Sequence, residues 1–211
     1  MQPFDKLYYF ADPMCSWCYG FGPAVAAFAA QHADLPITPV MGGLRPYTAH
    51  ALPTKQAQEI RTHWHHVEEA SGLPFDDALL MKPGFIYDTE PACRAVVVVR
   101  AMVGADALAY LKSVQDAFYR DARDVTDADV LAAIAQECGL DHAQFAASLP
   151  TDAMREAVRA DFALTQSVGI RGFPALCAAR GNELFMIASG FTTAESLAQQ
   201  FQQLSQTARQ Q

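Results

Sequence analysis

The sequence has few cysteines, little charge and no long apolar run, and each shortage excludes a class of protein. Five cysteines among 211 residues are too few, and odd in number, for the disulfide framework of a small secreted protein, so we expect a reducing compartment. The 23 acidic residues outnumber the 15 basic ones, and the net charge of −8 repels the phosphate backbone of nucleic acid. The most apolar stretch, residues 95–103, is interrupted by Arg100 and is far shorter than the roughly 20 residues of a membrane span. We therefore expect neither nucleic acid nor a membrane as a partner.

The overall composition is that of a packed globular protein. Hydrophobic residues make up 51% of the chain and charged residues 18%, and the length fits one domain or one domain with a large insertion. Residues 1–6 lead directly into a strand-like stretch, without the basic start and apolar middle of a signal peptide. We therefore expect a cytoplasmic protein.

Strand patterns are confined to the two ends of the chain. Residues 7–11 and 36–41 are predicted strands, and Pro39 makes the second an edge or irregular strand. Two more strands are predicted near the end, on either side of a turn at Gly181, before a last helix. Between about residues 45 and 168 the pattern is instead that of amphipathic helices, one of them with Thr126 as its predicted N-cap.

Two of the cysteines, Cys15 and Cys18, lie where the first strand is expected to turn into a helix. A cysteine attacks as the thiolate, and the unpaired amides and dipole of a helix N-terminus stabilise that anion at Cys15. The spacing places Cys18 one turn further along, where its sulfur can close a disulfide with Cys15 and resolve a mixed disulfide. We predict Cys15 as nucleophile and Cys18 as resolving thiol.

The same Cys-x-x-Cys pattern is also half of many zinc sites. The chain has no second such pair, and His63, His65 and His66 are expected on a polar, solvated helix face. A purely structural buried pair is disfavoured because Cys15 is expected at an exposed turn. We therefore favour a redox pair over the zinc alternative and predict no bound metal.

The remaining cysteines, Cys93, Cys138 and Cys177, are predicted to be structural. The first two follow the apolar faces of predicted helices, and the third lies in a short apolar strand. We expect all three in the core, although the strand of Cys177 would run near the active site.

Residues 12–21, with the sequence DPMCSWCYGF, and residues 172–174, Gly-Phe-Pro, together resemble the DsbA-like branch of the thioredoxin superfamily. The closer resemblance, over nearly the full chain, is to its cytoplasmic FrnE-like members. It implies an α/β thioredoxin fold, with a central mixed sheet flanked by helices, formed by residues 1–44 and 168–211. A large all-helical insertion domain, residues 45–167, would interrupt this fold.

The resemblance also implies roles for residues around the cysteine pair. Pro174 would be a cis-proline facing Cys15 and would expose the backbone of Phe173 to an extended substrate. Ser16, Trp17 and Phe173 are the predicted substrate-binding residues. Ser16 and Trp17 stand where the DsbA pattern has a thiolate-stabilising histidine, so we expect a less strongly oxidising protein. Phe173 is bulkier than the small or β-branched residue common at its position.

These features predict a thiol-disulfide oxidoreductase, acting as reductase, isomerase or oxidase on protein or peptide disulfides. No cofactor is expected beyond the redox-active disulfide, with glutathione as a candidate co-substrate, and a cytoplasmic site favours reduction or isomerisation. A glutathione-dependent transferase or isomerase of the kappa-like branch stays open, although such enzymes characteristically have a serine where Cys15 stands. A non-catalytic chaperone or binding module, using a groove between the domains, also stays open. The sequence does not distinguish a monomer from a homodimer.

Overall fold

The structure, a computed structural model, describes residues 3–104 and 107–209. Within these residues the elements follow one another as β1 (Lys6–Ala11), α1 (Ser16–Gln31), β2 (Ile37–Met41), α2 (Thr54–Ser71), α3 (Glu90–Val103), α4 (Ala107–Tyr119), α5 (Ala128–Glu137), α6 (His142–Ser148), α7 (Asp152–Ser167), β3 (Ala175–Arg180), β4 (Glu183–Ser189) and α8 (Ala194–Ala208). The strands form one sheet in the order β2-β1-β3-β4. β1 and β2 are parallel, and the other two pairs are antiparallel.

This architecture confirms the predicted thioredoxin fold with a helical insertion between β2 and β3. β2 lies at the edge of the sheet, as Pro39 led us to expect. A proline has no backbone N–H to donate to a second neighbouring strand, so it is disfavoured in a central strand. The prediction of Thr126 as a helix N-cap is wrong. The helix begins after Asp127, whose carboxylate accepts a hydrogen bond from the backbone N–H of Asp129. Thr126 instead donates its hydroxyl to Asp124.

The outer edge of β2 is covered by polar side chains from α3 and α7. The Arg100 guanidinium donates to the carbonyl oxygen of Pro39 at 2.6 Å, and Met41 N–H donates to Asp161 Oδ2 at 2.8 Å. The Thr165 hydroxyl donates to the Met41 carbonyl at 3.1 Å. Because unpaired backbone groups at a buried edge are costly, these helices complete the hydrogen bonding of the strand.

One cluster of buried side chains runs through both the sheet segment and the helical segment, and includes Leu7, Phe28, Val96 and Phe118. α1 and α2 cross closely at Gly20, where a Cβ would lie 2.8 Å from Val67 Cγ1. The division into two domains stays a prediction. Residues 1–2 and 210–211 of the first predicted domain, and residues 105–106 of the second, lie outside the described residues. No helix in the described ranges is long and apolar enough to span a membrane.

Candidate active site

The junction between β1 and α1 is a tight turn organised by Asp12. Its Oδ1 accepts from Met14 N–H at 2.8 Å, and its backbone carbonyl accepts from Cys15 N–H at 3.1 Å. α1 then begins at Ser16 with Cys15 as the N-cap residue, and its first turn contains no acidic side chain. The structure thus places Cys15 at the start of a helix, the position on which its predicted role as nucleophile depends.

Cys15 is less accessible than its position at a turn led us to expect. Only 6% of its surface is exposed, so the expectation of an exposed turn is wrong. Its thiol lies 3.8 Å from the carbonyl oxygen of Phe173, in the loop before β3. From the helical segment, the Tyr87 hydroxyl donates to the carbonyl of the neighbouring Met14 at 2.6 Å. Loops distant in sequence thus cover the turn on two sides.

Cys18 lies behind Cys15 in the first turns of α1 and is fully buried. Burial raises the pKa of its thiol well above the usual value, and the hydrogen bond to Cys15 and the charge of Cys15 raise it further. The Cys18 carbonyl also accepts from the Tyr9 hydroxyl at 3.3 Å. Both cysteines are free in this structure, and the raised pKa of Cys18 favours its neutral thiol form.

The loop facing Cys15 carries Phe173 and Pro174, and the peptide bond between them is cis, as the resemblance implied. The Phe173 ring rests on Gly42, just after β2, so closely that a Cβ at this glycine would lie 2.0 Å from Phe173 Cζ. A glycine across the cleft therefore accommodates the bulky side chain before the proline. Nothing in the local sequence indicated this partner, because the two residues are far apart in the chain.

A cavity of about 350 Å³ lies beside the Cys15 sulfur. The start of α1 contributes Cys15, Ser16 and Trp17 to its lining, and the opposite loop contributes Phe173. Trp17 is partly exposed, and its ring packs at 5.5 Å from that of Phe191. The structure thus brings the predicted nucleophile and the three predicted substrate-binding residues around one cavity. Their roles remain predictions.

Asp12 has a role in the site that sequence reasoning missed. Its buried Oδ2 accepts from Leu44 N–H at 2.7 Å and from the Cys93 thiol at 3.4 Å, while Oδ1 holds the turn before Cys15. Burial raises the pKa of Asp12, and the N–H donors of Leu44 and Met14 offset part of that rise. One carboxylate therefore joins the cysteine turn, the loop after β2 and helix α3.

The three remaining cysteines have different surroundings. Cys93 is buried on α3, as predicted, and Cys177 is buried in β3, where burial raises the pKa of its thiol to about 11. Cys138 is exposed, so its predicted core position is wrong. α5 ends at Glu137, and Cys138 is the residue after its end, with its thiol donating to Ser113 Oγ at 3.3 Å. The apolar stripe ends before it.

The three histidines considered for a metal site are exposed on α2. His65 pairs with Glu68 at 3.5 Å, and the rings of His63 and His66 lie 6.3 Å apart. In the described part of the chain, no three His, Cys, Asp or Glu side chains come together as metal ligands. His63 instead lines the cavity beside Cys15.

Comparisons with known proteins show similarity in sequence and in fold. The model of the DSBA-like thioredoxin domain family matches residues 6–202. A protein from Nitrosomonas europaea, provisionally described as a protein disulfide isomerase, is 33% identical, with a TM-score of 0.88 over 95% of this chain and 97% of that chain. The cytosolic disulfide reductase DsbM from Pseudomonas aeruginosa is 26% identical, with a TM-score of 0.79 over 94% of this chain and 98% of that chain. DsbM has also been solved with GSH.

Among curated proteins, the chain is similar to the ClpXP adapter protein SpxH of Halalkalibacterium halodurans. The two are 22% identical over 170 residues, which cover 78% of this chain and 55% of that protein. The chain therefore spans about half the length of the curated relatives it matches.

Proposed function

The chain belongs to the DSBA-like thioredoxin domain family, and from this premise we propose that it is a thiol-disulfide oxidoreductase acting through Cys15, with Cys18 as the resolving thiol. The observation that carries the proposal is the asymmetry of the pair. Cys15 is the N-cap of α1 and lines a cavity, while Cys18 is fully buried and lies outside the cavity lining. The Cys15 sulfur would react with the substrate, whereas the Cys18 sulfur would react only with the Cys15 sulfur.

In the reducing direction, the Cys15 thiolate attacks one sulfur of a substrate disulfide. The substrate S–S bond breaks, its second sulfur leaves and takes a proton, and Cys15 becomes joined to the substrate. Cys18 then loses its proton and attacks the Cys15 sulfur, which releases the second substrate thiol. Two electrons have passed to the substrate, and a Cys15–Cys18 disulfide remains. Oxidation of a substrate dithiol is the reverse sequence.

Burial raises the pKa of Cys18 most, and the hydrogen bond to Cys15 and the charge of Cys15 raise it further. A mixed disulfide at Cys15 would remove the contribution of that charge, while the contribution of burial would remain. Attachment of a substrate to Cys15 would therefore make Cys18 easier to deprotonate for the resolving step.

We favour reduction or isomerisation of peptide and protein disulfides in the cytoplasm, with glutathione as reductant. The relative DsbM, described as a cytosolic disulfide reductase and solved with GSH, supports this direction. The kappa-like transferase alternative is less favoured because the chain retains both Cys15 and Cys18.

A binding or adapter function is the second candidate, because the curated relatives are described as ClpXP adapter proteins. Exposed Leu44 and Tyr47, on the loop after β2, offer apolar contact for a protein partner. A partner that binds equally well after loss of both Cys15 and Cys18 would favour this candidate over catalysis.

The test uses three single variants and a peptide disulfide as substrate. Cys15→Ser is expected to lower the exchange rate to that of the uncatalysed reaction. Cys18→Ala is expected to accumulate a mixed disulfide on Cys15, seen as the added mass of one peptide. Cys138→Ser, which changes an exposed cysteine outside the cavity, is the control and should exchange like the wild type. An unchanged rate in Cys15→Ser would refute the proposal.

A further inference from the structure

Two basic side chains, Arg45 and His63, line the cavity beside Cys15 in a chain whose net charge is −8. Among the described residues that line it, none is acidic. Eight other arginines form ion pairs with acidic side chains, whereas the guanidinium of Arg45 has no acidic partner in the part of the chain that the structure describes. The cavity thus has a local charge opposite to that of the whole protein.

The backbone of Arg45 is held in place by three hydrogen bonds. Its N–H donates to Thr89 Oγ1 at 3.1 Å, and its carbonyl accepts from Thr89 N–H at 3.3 Å and from the Thr48 hydroxyl at 3.0 Å. Its guanidinium carbon lies over the Tyr87 ring, 5.3 Å from the centroid. This arginine is therefore anchored at its backbone, and its guanidinium contacts an aromatic ring.

The anchored loop is also fixed relative to the nucleophile. Asp12 accepts from Leu44 N–H, next to Arg45, and from Met14 N–H, next to Cys15. The cation and the reactive sulfur are thus held on two backbone segments that share one buried carboxylate. Such an arrangement suits a ligand that presents a sulfur and an anionic group at a set separation.

We infer that Arg45 and His63 form a carboxylate-binding subsite beside Cys15, and that the co-substrate is a small thiol carrying a carboxylate, or its disulfide. Because the Arg45 guanidinium has no acidic partner among the described residues, its N–H groups can bind the two oxygens of a carboxylate. An imidazole N–H of His63 supplies a further donor. Glutathione has this chemistry, and the inference rests on the proposed exchange at Cys15.

The reaction at this subsite reduces the oxidised pair with two molecules of the small thiol. The first, as thiolate, attacks the Cys15 sulfur; the Cys15–Cys18 bond breaks, and Cys18 leaves and takes a proton. The second attacks the sulfur of the bound small thiol, which releases Cys15 as a thiolate and forms the small-molecule disulfide. Two electrons pass from the two thiols to the pair. The carboxylate contact aligns the first attack.

The experiment compares glutathione with 2-mercaptoethanol, a thiol without a carboxylate, as reductants of the oxidised protein. The measured quantity is the ratio of the two rate constants for reduction of the Cys15–Cys18 disulfide. Arg45→Gln is expected to lower this ratio about tenfold, the usual cost of a lost hydrogen bond to a charged group, and His63→Gln is expected to lower it less. The control is Arg171→Gln, which removes the same charge from an exposed residue beside the Phe173 loop but outside the cavity lining.

An unchanged ratio in Arg45→Gln would overturn the inference, as would an equal fall in Arg171→Gln, which would indicate net charge rather than a subsite. Because each variant reports a ratio, a general loss of folding or reactivity cancels. Failure of the proposed function has a different result, since Cys15→Ser would then still exchange with the peptide disulfide at the wild-type rate.

Discussion

At the scale of single residues, the turn that carries Cys15 is tied to parts of the chain that are distant in sequence. The buried carboxylate of Asp12 accepts from Met14, Leu44 and Cys93, and so connects the cysteine turn with the loop after β2 and with α3. Removing an acceptor from a buried cluster leaves donors without partners, which is costlier than the loss of an average hydrogen bond.

We expect Asp12→Asn to destabilise the protein by about 1–3 kcal/mol, as measured by urea unfolding. Asparagine keeps one acceptor oxygen and can retain the bond from Met14, but its NH₂ group faces the Leu44 N–H in place of an acceptor. Exchange at Cys15 should slow as well, because the cysteine turn is no longer tied to the loop after β2. A variant as stable and as active as the wild type would contradict this role.

Comparison of the wild type with Asp12→Asn also predicts how the free energy of unfolding changes with pH. Because burial raises the folded-state pKa of Asp12 above its usual 3.8, the folded protein binds the proton more tightly than the unfolded chain. Stability from this group is fully present below the unfolded pKa and is lost as pH rises through the folded pKa. The stability of the wild type minus that of Asp12→Asn should therefore decrease as pH rises from about 4. An increase over that range would show that the carboxylate is stabilised by its donors more than burial destabilises it.

Gly42 gives a second prediction at this scale. A Cβ there would lie 2.0 Å from the Phe173 ring, so Gly42→Ala must displace that ring, at an expected cost of about 1–3 kcal/mol. In a Phe173→Ala background the same substitution should cost less than about 0.5 kcal/mol, because the obstacle is gone. The control Gly22→Ala, whose Cβ would have Gln115 Oε1 at 3.9 Å as its nearest neighbour, should not destabilise. Equal costs for Gly42→Ala in both backgrounds would contradict the contact.

The sequence could indicate only those site residues whose signal is local. Cys15 and Cys18 follow from their spacing, and the cis bond before Pro174 follows from the resemblance. Asp12 and Gly42 could not be predicted, because their partners Leu44, Cys93 and Phe173 come from other parts of the chain. The burial of Cys15 was missed for the same reason, and Cys138 was misplaced because helix periodicity does not show where a helix ends.

At the scale of elements, β2 depends on the helical segment for its outer edge. Arg100 and Asp161 form a two-point ion pair at 2.7 and 2.8 Å, and each also bonds the strand's backbone. Their side chains are 21% and 9% exposed, so the pair is largely removed from water. Pro39 indicated an edge strand in the sequence, but which helices would cover that edge was not readable from it.

Asp161→Ala is expected to destabilise the protein by about 3–5 kcal/mol, because it leaves a largely buried guanidinium and the Met41 N–H without their partner. Chemical denaturation of both proteins measures the difference. Glu59→Ala is the matched control: Glu59 is 60% exposed in a surface pair with Lys55, and its loss should cost less than about 1 kcal/mol. Similar losses of unfolding free energy for the two substitutions would argue against a stabilising contact between Asp161 on α7 and the edge of β2.

At the scale of the whole molecule, the larger of two clusters of buried residues joins the sheet segment to the helical segment. The close crossing of α1 and α2 at Gly20 lies between Tyr19 and Phe21, which both belong to that cluster. The sequence predicted the order of the elements well, because strand and helix periods differ clearly at the two ends and in the middle. It did not show that the two segments share a core.

We therefore expect one cooperative unfolding transition rather than two. The two tryptophans report the two segments separately, since Trp17 lies on α1 and Trp64 on α2. In Trp17→Phe and in Trp64→Phe, the urea midpoint from the remaining tryptophan's fluorescence should coincide with that from far-ultraviolet circular dichroism of the same variant. Separate midpoints in either variant would show that the segments unfold independently.

The most direct measurement is a titration of the protein in glutathione buffers of graded redox potential, with alkylation and mass analysis of each cysteine at every point. We expect Cys15 and Cys18 to change state together and to form a disulfide with each other, while Cys93, Cys138 and Cys177 stay reduced across that transition. A Cys15 that remains a free thiol at every potential, or that pairs with a cysteine other than Cys18, would contradict the assignment of the pair as the redox centre.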